Sequence, residues 1–526
     1  MATQARGAAD PFILALDLGT SGMKVAVCTS AGAALEWEME PCQVIYLPGG
    51  GAEQRPEDWW LALVRCMDRL QQRCPEKLAR IRAVCASTHW SGTIPVNSRG
   101  EPLHNAILWM DTRGATDVRR TVGGLIRFDG YSVWKMLRWI RLTGGLPSLS
   151  GKDSIAHILY LRSHHPEIYD AAHLFLEPKD WLNARLCGRM VCSSEAILLH
   201  WVTDNRDLQN IKYDPTLLKW VGIAREKLPD LVPCTEILGP LLPEVARALH
   251  LPSDVVLVGG LPDVHAAALG SGAIGPLEPH LCIGTSSWLG AHVPEKRTDL
   301  FRQLASIPSA LPDRYLLVSE QECAGGCLNF LRDSLLFPDG APPDVWSILD
   351  GLVTQSKPGA GNVIFTPWLY GERAPVDDHT VRGGFFNLSM PIRRPDLVRA
   401  VYEGVAFNTR WLLGGIEHFC GRKADVIRFV GGGAKSHIWS QILADVLERP
   451  IARVKDPMQT NARGVALLAA VALGARTWDE LSGLVAIEET LQPNPQTRDV
   501  YGQLFDRFLE IFHANRRIYA KLNRHD

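Results

Sequence analysis

Residues 12–27 read FILALDLGTSGMKVAV, and residues 280–293 read HLCIGTSSWLGAHV. Each is an apolar, β-prone run, then Gly-Thr-Ser, then a second β-prone run. The triplets begin at Gly19 and Gly284, 265 residues apart in a chain of 526. Self-similarity at that spacing points to a duplicated supersecondary unit, with chance recurrence of three residues as the alternative. The length agrees, being too great for one core and enough for two domains of about 200–270 residues. Two related halves, residues 11–272 and 273–526, are therefore expected.

Within each half, strand and helix patterns alternate. After the opening pair, residues 34–44 read as a third strand. Arg55-Pro56-Glu57-Asp58 then opens a helix whose apolar face is Trp60, Leu63, Val64, Met67 and Leu70. Residues 81–86 and 93–97 read as strands, the second ending in a Ser-Arg-Gly turn. In the second half, 363–367 and 426–430 are strand-like, while 395–413 and 438–447 are helical. The pattern is α/β with layered domains. The Gly- and Pro-rich segment 270–279 is the expected hinge.

The first Gly-Thr-Ser turn joins two strands, so its glycines let successive N–H groups converge on an anion. Thr20 and Ser21 add hydroxyl donors, Lys24 offers positive charge, and Asp17 at the strand end could hold Mg²⁺ through water. A plain β-hairpin is the alternative for either loop alone. Two such loops half a chain apart favour nucleotide phosphates held from both sides. Gly431-Gly432-Gly433-Ala434-Lys435-Ser436 follows a strand and opens a helix, where small residues let a flat ligand approach the backbone. A structural glycine turn is its bland reading.

Other nucleotide signatures do not compete. The Gly151-Lys152 pair is followed by Asp153 and lacks the upstream glycine of a P-loop. Gly270-Ser271-Gly272-Ala273-Ile274-Gly275 matches GxGxxG but ends a helical run (264–269) instead of opening one after a strand. A net charge of −2 leaves no basic nucleic-acid footprint. No apolar run approaches the roughly 20 residues that span a bilayer. Residues 1–10 lack an export-signal pattern, so a cytoplasmic location is expected. The twelve cysteines, scattered through strand- and helix-like segments, read as reduced buried thiols.

Taken in order, these motifs resemble the FGGY carbohydrate kinases, and among them the xylulose kinases, over residues 12–475. The likeness adds Glu53-Gln54-Arg55-Pro56-Glu57-Asp58-Trp59-Trp60, the stretch 100–113 ending Trp109-Met110-Asp111-Thr112-Arg113, and the stretch 259–272 containing Asp263. It continues through Ile283-Gly284-Thr285-Ser286, Gly371-Glu372-Arg373-Ala374-Pro375, and the triple glycine with Gln441, Ala444 and Asp445. The resemblance implies two actin-like (ribonuclease-H-like) domains, each a mixed sheet flanked by helices, with a cleft between them. Sugar would bind mainly to the first and ATP to the second, with Mg²⁺.

Position by position, Asp263 matches the family's catalytic base, although the run GGLPDVHAAALG alone equally allows a helix N-cap. His89 and Trp90 fall at the sugar site, Trp109 would offer a flat wall, and Asp111 would accept hydroxyl hydrogen bonds. Gly19, Thr20, Ser21 and Lys24, with Gly284, Thr285 and Ser286, match the phosphate loops. Gly432, Gly433 and Ala434 match the adenosine segment, and Gly325 and Gly326 lie near the nucleotide. The partner implied is a small sugar or polyol, with neither nucleic acid nor membrane; a homodimer is compatible with the sequence, which does not fix the assembly.

Three stretches depart from the pattern. His157 and Tyr160 replace a Lys and a Trp, Asn387 replaces a glycine, and Ser87-Thr88-His89-Trp90 stands where xylulose kinases carry Gln-Met-His-Gly. Phosphorylation of D-xylulose to xylulose 5-phosphate is the leading reading. A kinase of ribulose, gluconate, erythritol or glycerol is the alternative, and a non-catalytic actin-like sensor is a third.

Overall fold

The alternation of inward and outward residues along the opening strands sets one sheet between two layers. The structure, a computed structural model, describes residues 10–300, 302 and 304–523. Strands β1 (Phe12–Gly19), β2 (Gly22–Thr29), β3 (Ala34–Pro41), β4 (Ile81–Thr88), β5 (Ile237–Pro240) and β6 (Val256–Pro262) form one sheet in the order β5-β6-β4-β1-β2-β3. Leu14, Leu16, Leu18, Val25 and Val27 point to one face, where helix α1 (Pro56–Arg73) packs. Ile13, Ala15, Ala26, Cys28, Ala83 and Cys85 point to the other.

The second half repeats the plan. Its sheet has β7 (Pro279–Ile283), β8 (Ser287–Val293), β9 (Thr298–Asp299), β10 (Leu304–Pro308), β11 (Tyr315–Gln321), β12 (Ile427–Val430), β13 (Ile451–Val454) and β14 (Ile487–Leu491). Their order is β9-β10-β11-β8-β7-β12-β13-β14. In the first sheet β1 runs antiparallel to β2, β2 to β3, and β1 and β6 run parallel to β4. In the second, β7 is antiparallel to β8, β8 to β11, and β7 and β13 run parallel to β12. Even the antiparallel edges correspond, β5 on β6 and β14 on β13. The Gly-Thr-Ser echo is thus the visible part of a duplicated sheet.

Helices α2 (Asp263–Gly270) and α5 (Thr460–Ala472) follow the corresponding strands β6 and β13 and pack against each other. Between them in the chain lie α3 (Arg394–Cys420) and α4 (His437–Leu447). Helix α5 also covers the second face of the first sheet, where Val465, Ala466 and Ala469 join Ile13, Ala15 and Cys85 in one core. The two halves therefore share a core instead of merely touching.

The segment 270–279 links the halves, but Ser271 to Ile274 are buried and hydrogen-bonded: the Ser271 carbonyl accepts from Arg428 Nη1 at 3.2 Å and the Ala273 carbonyl contacts His292 Nδ1 at 2.9 Å. The inward face of α1 is Trp59, Ala62, Leu63, Cys66, Met67 and Leu70, while Trp60 and Val64 are only half-buried and Trp60 lies under Arg185. The expected strand at 93–97 is real as Ile94–Val96 but pairs with Leu174–Leu176 outside the large sheets. Among the described residues no helix is long and apolar enough to cross a membrane.

The α2–α5 crossing depends on two glycines. A Cβ on Gly270 would lie 1.8 Å from the Thr460 carbonyl oxygen, and one on Gly464 would lie 1.9 Å from that of Ala266. Both obstacles are backbone, so the helices would have to separate. Gly464→Ala gains about 1 kcal/mol of helix propensity, against about 1–3 kcal/mol for overpacking. A net loss of stability is expected in urea unfolding; an unchanged or higher midpoint would refute the backbone contact.

Candidate active site

The first hairpin turn is fixed from below. Gly22 is required because a Cβ there would meet the Glu40 carbonyl at 2.5 Å. The Thr20 carbonyl accepts from Gln54 Nε2 at 2.9 Å, and Gln54 Oε1 accepts from buried Trp59 at 3.0 Å. Thr20 Oγ1 accepts from Trp109 Nε1 at 3.0 Å, tying the half-buried indole to the turn. Ser21 is exposed and Gly19 half-buried, leaving the turn open. Antiparallel register sets Asp17 opposite Lys24, whose Nζ lies 3.3 Å from Asp17 Oδ2 and donates to the Met458 carbonyl at 2.8 Å. Asn461 Nδ2 donates to Asp17 Oδ1 at 3.1 Å, so α5 of the second half reaches the first turn.

The second turn is built from the equivalent hairpin. Gly284 and Thr285 are exposed and Ser286 is half-buried. Gly325 N–H donates to the Gly284 carbonyl at 3.0 Å and Gly326 N–H to the Thr285 carbonyl at 2.9 Å. Gly431, at φ +82°, approaches from the other side, since its Cβ would stand 2.6 Å from the Ile283 carbonyl. Gly432 beside it is exposed, while Gly433 and Ala434 are buried, in a short 3₁₀ turn that precedes Ser436, the N-cap of α4. The expected phosphate and adenosine segments are thus brought together. Gln441 and Asp445, by contrast, bond to each other at 2.7 Å and anchor residues 492–494.

Asp263 is the first residue of α2, and its Oδ1 accepts from the Val264 N–H at 2.8 Å. Burial pushes its carboxyl up to about 7, and the negative charges of Asp17 and Glu320 add to the rise. The charges that act on this carboxyl thus come from both halves.

His89 directly follows β4, its N–H continuing the ladder to the Leu18 carbonyl at 2.7 Å. It is 2% exposed, and neither ring nitrogen has a partner among the described residues. Burial lowers the imidazole to about 4, so it is neutral and holds one donor and one acceptor in reserve. Trp90 donates Nε1 to the Ala196 carbonyl at 2.8 Å and packs edge-on against His265 of α2. It is a wall residue whose one polar group is already used.

Asp111 departs from its expected role. It is 0% exposed; Oδ2 accepts from Ala52 N–H at 2.9 Å and pairs with Arg113 Nη2 at 2.7 Å, while Oδ1 accepts from Arg113 N–H at 2.9 Å. Arg113 also pairs with Glu53 at 2.6 Å. In place of an open sugar hydroxyl, Asp111 holds this buried ion cluster. The departures His157 and Tyr160 are also internal: His157 is buried against Thr93 at 3.2 Å and Tyr160 lies under Arg113. Asn387 adopts φ +65°, the left-handed backbone that the replaced glycine would favour.

Sequence reasoning misses Glu320, Glu322, Arg373 and Lys152 as site residues. Arg373 bonds to Glu320 and to Glu322 at 3.0 Å, and Lys152 Nζ lies 3.6 Å from Glu322, linking the halves. No spacing in the sequence joins these four. Beneath them, buried Glu372 accepts from the Glu322 N–H at 3.1 Å and from Asn408, bracing the chain that leads into Gly325.

The model of the FGGY family of carbohydrate kinases, N-terminal domain, matches residues 12–270, and that of its C-terminal domain matches residues 280–473. The xylulose kinase of Escherichia coli (strain K12) is 28% identical over 515 residues, covering 95% of this chain and 98% of that protein. The gluconate kinase from Lactobacillus acidophilus superposes at a TM-score of 0.85 with 25% identity, covering 98% of this chain and 100% of that one. A ligand-bound xylulose kinase from the same organism also gives 0.85 with 25% identity, over 97% and 100%. The shared architecture is the two-lobed actin-like fold.

A methyl group on Gly325 would sit 2.3 Å from the Gly284 carbonyl and displace the second turn. Gly325→Ala is expected to weaken ATP binding about tenfold or more, measured by calorimetry; ATP affinity within twofold of the parent would detach that turn from the nucleotide.

Proposed function

We propose a substrate and a base for a chain that belongs to the FGGY family of carbohydrate kinases. The enzyme is a sugar kinase, and the family implies ATP as the donor. The reaction proposed is transfer of the γ-phosphoryl group of ATP to a hydroxyl of a small ketose, D-xylulose giving xylulose 5-phosphate. The observation that supports this is Asp263, a carboxyl at the first residue of α2 that is raised to about 7 by burial and by the charges of Asp17 in the first half and Glu320 in the second.

In the proposed step, the Asp263 carboxylate accepts the proton of the substrate hydroxyl as that oxygen bonds to the γ-phosphorus. The bond from γ-phosphorus to its bridging oxygen breaks, and ADP leaves with the electron pair. The open turns at Gly19–Ser21 and Gly284–Ser286 supply N–H and hydroxyl donors to the phosphates, and Lys24 supplies charge. His89, with two ring nitrogens uncommitted among the described residues, is the proposed hydroxyl-binding group, and Trp109, tied to the first turn through Thr20, is the proposed wall. Gly432 marks the open edge where the adenine would lie.

Magnesium fits the donor set. Among the described residues the Asp17 carboxylate, two positions before the first turn, bonds to Lys24 and Asn461, and its charge acts on Asp263. Among the described residues no three acidic or histidine side chains converge to cage a metal, which suits an ion held by Asp17 through water and by phosphate oxygens. When bound, Mg²⁺ would offset phosphate charge. The proposed setting is the cytoplasm, where ATP is supplied and the chain's free thiols stay reduced.

A base raised to about 7 must be unprotonated to work, so kcat/KM should fall about tenfold per pH unit below 7 and level off above it. A profile flat from pH 5 to 8 would contradict the assignment. Asp263→Asn should lower kcat by about 10²–10⁴ while sugar binding, followed by calorimetry, stays within a few-fold. An ADP-release assay over ketopentoses, tetritols, hexonates and glycerol tests the substrate: D-xylulose should turn over with the highest kcat/KM, and a strong preference for glycerol or gluconate would overturn it.

A further inference from the structure

The relatives of this chain include kinases of a neutral ketose and of a sugar acid, and these substrates differ by one negative charge. The charges around the cleft distinguish the two. Ser91 Oγ donates to the Lys152 carbonyl at 2.8 Å, which seats Lys152 directly beside the His89–Ser91 wall. From there its ammonium reaches Glu322 of the second half at 3.6 Å. Arg373 is shared by Glu322 and Glu320, and Glu320 acts in turn on Asp263. The four side chains keep 11–33% of their surface accessible, so the cluster is not sealed in the core.

We propose that the Lys152–Glu322–Arg373–Glu320 cluster makes the sugar site selective for uncharged ketoses and polyols and excludes sugar acids. This rests on the phosphoryl-transfer reading above. Two cations face two carboxylates, which leaves no cation uncommitted. Other positive groups nearby are taken as well: Lys24 by Asp17, Arg113 by Asp111 and Glu53, and Lys179 by Asp180. The histidines of the wall bring no charge, because burial lowers His89, His157 and His265 to about 4. Glu322 stays ionised: burial alone would raise it, but Arg373 and Lys152 outweigh that and hold it below the usual carboxylate range. A substrate carboxylate would enter among Asp17, Asp263, Glu320 and Glu322 and could gain a cation only by taking one from an existing pair. A neutral sugar meets no such penalty.

The test is kinetic and uses the full chain with MgATP. Initial rates are measured on D-xylulose, D-ribulose and glycerol as neutral acceptors and on D-gluconate as the acid. The parent should favour its best neutral acceptor over gluconate by about 100-fold or more in kcat/KM. Glu322→Gln keeps the shape and releases cationic charge, so the ratio should fall about tenfold. Lys152→Met should move the ratio the other way. A purely structural role would lower both activities together and leave the ratio within about twofold in both variants, which would overturn the proposal, as would a parent that prefers gluconate. If Lys152→Met fails to fold, the Glu322→Gln ratio decides alone. Turnover of none of the acceptors would sink the kinase reading itself, and this inference with it.

Discussion

Helices α2 and α5 meet backbone to backbone because Gly270 and Gly464 carry no side chain, and the geometry of the cleft follows from that contact. Asp263 stands at the first residue of α2, at the same end of the parallel strands as Asp17. At the start of α5, Asn461 reaches back to Asp17, and the preceding Met458 carbonyl holds Lys24. The crossing thus locks the first half's turn to the second half's helix. Because α5 also covers the first sheet, the two halves form one elastic unit in which a motion of the lobes must pass through this shared core.

The electrostatics follow from the duplicated sheets. Equivalent strands end in equivalent turns, each with exposed or half-buried Gly-Thr-Ser residues. Carboxylates from both halves, Asp17, Asp263 and Glu320, act on one another. Such crowding disfavours the charged form and, with burial, raises Asp263, the proposed base. The proposed selectivity rests on the same crowding and on the pairing of Lys152 and Arg373 with Glu322 and Glu320.

Much of this was legible in the amino-acid sequence, for local reasons. A tight turn needs its glycines and hydroxyls in order, so the hairpins at Gly19 and Gly284 announced themselves, and strong periodicity placed α4 to within one residue of its start. What could not be read is what depends on partners far along the chain. Two adjacent tryptophans do not tell which faces inward, and Trp59 proved to be the buried one because Gln54 accepts its N–H. Asp111 looked available until Arg113 and Glu53, the latter from a strand 58 positions earlier, were seen to enclose it. Glu320, Glu322 and Lys152 are single charges in ordinary surroundings; only the meeting of the halves makes them a cluster. His89 is the converse case, a position the family pattern marked and whose two ring nitrogens have no hydrogen-bond partner among the described residues.

The central claim is that one phosphate chain is held between the two turns with its end at Asp263. A crystal structure of the full chain with a non-hydrolysable ATP analogue and D-xylulose tests it most directly. The account predicts phosphate oxygens within hydrogen-bond reach of both the Gly19–Ser21 and Gly284–Ser286 turns, and a sugar hydroxyl between the γ-phosphorus and the Asp263 carboxylate. Phosphates touching one turn alone, or a sugar seated away from Asp263, would contradict it.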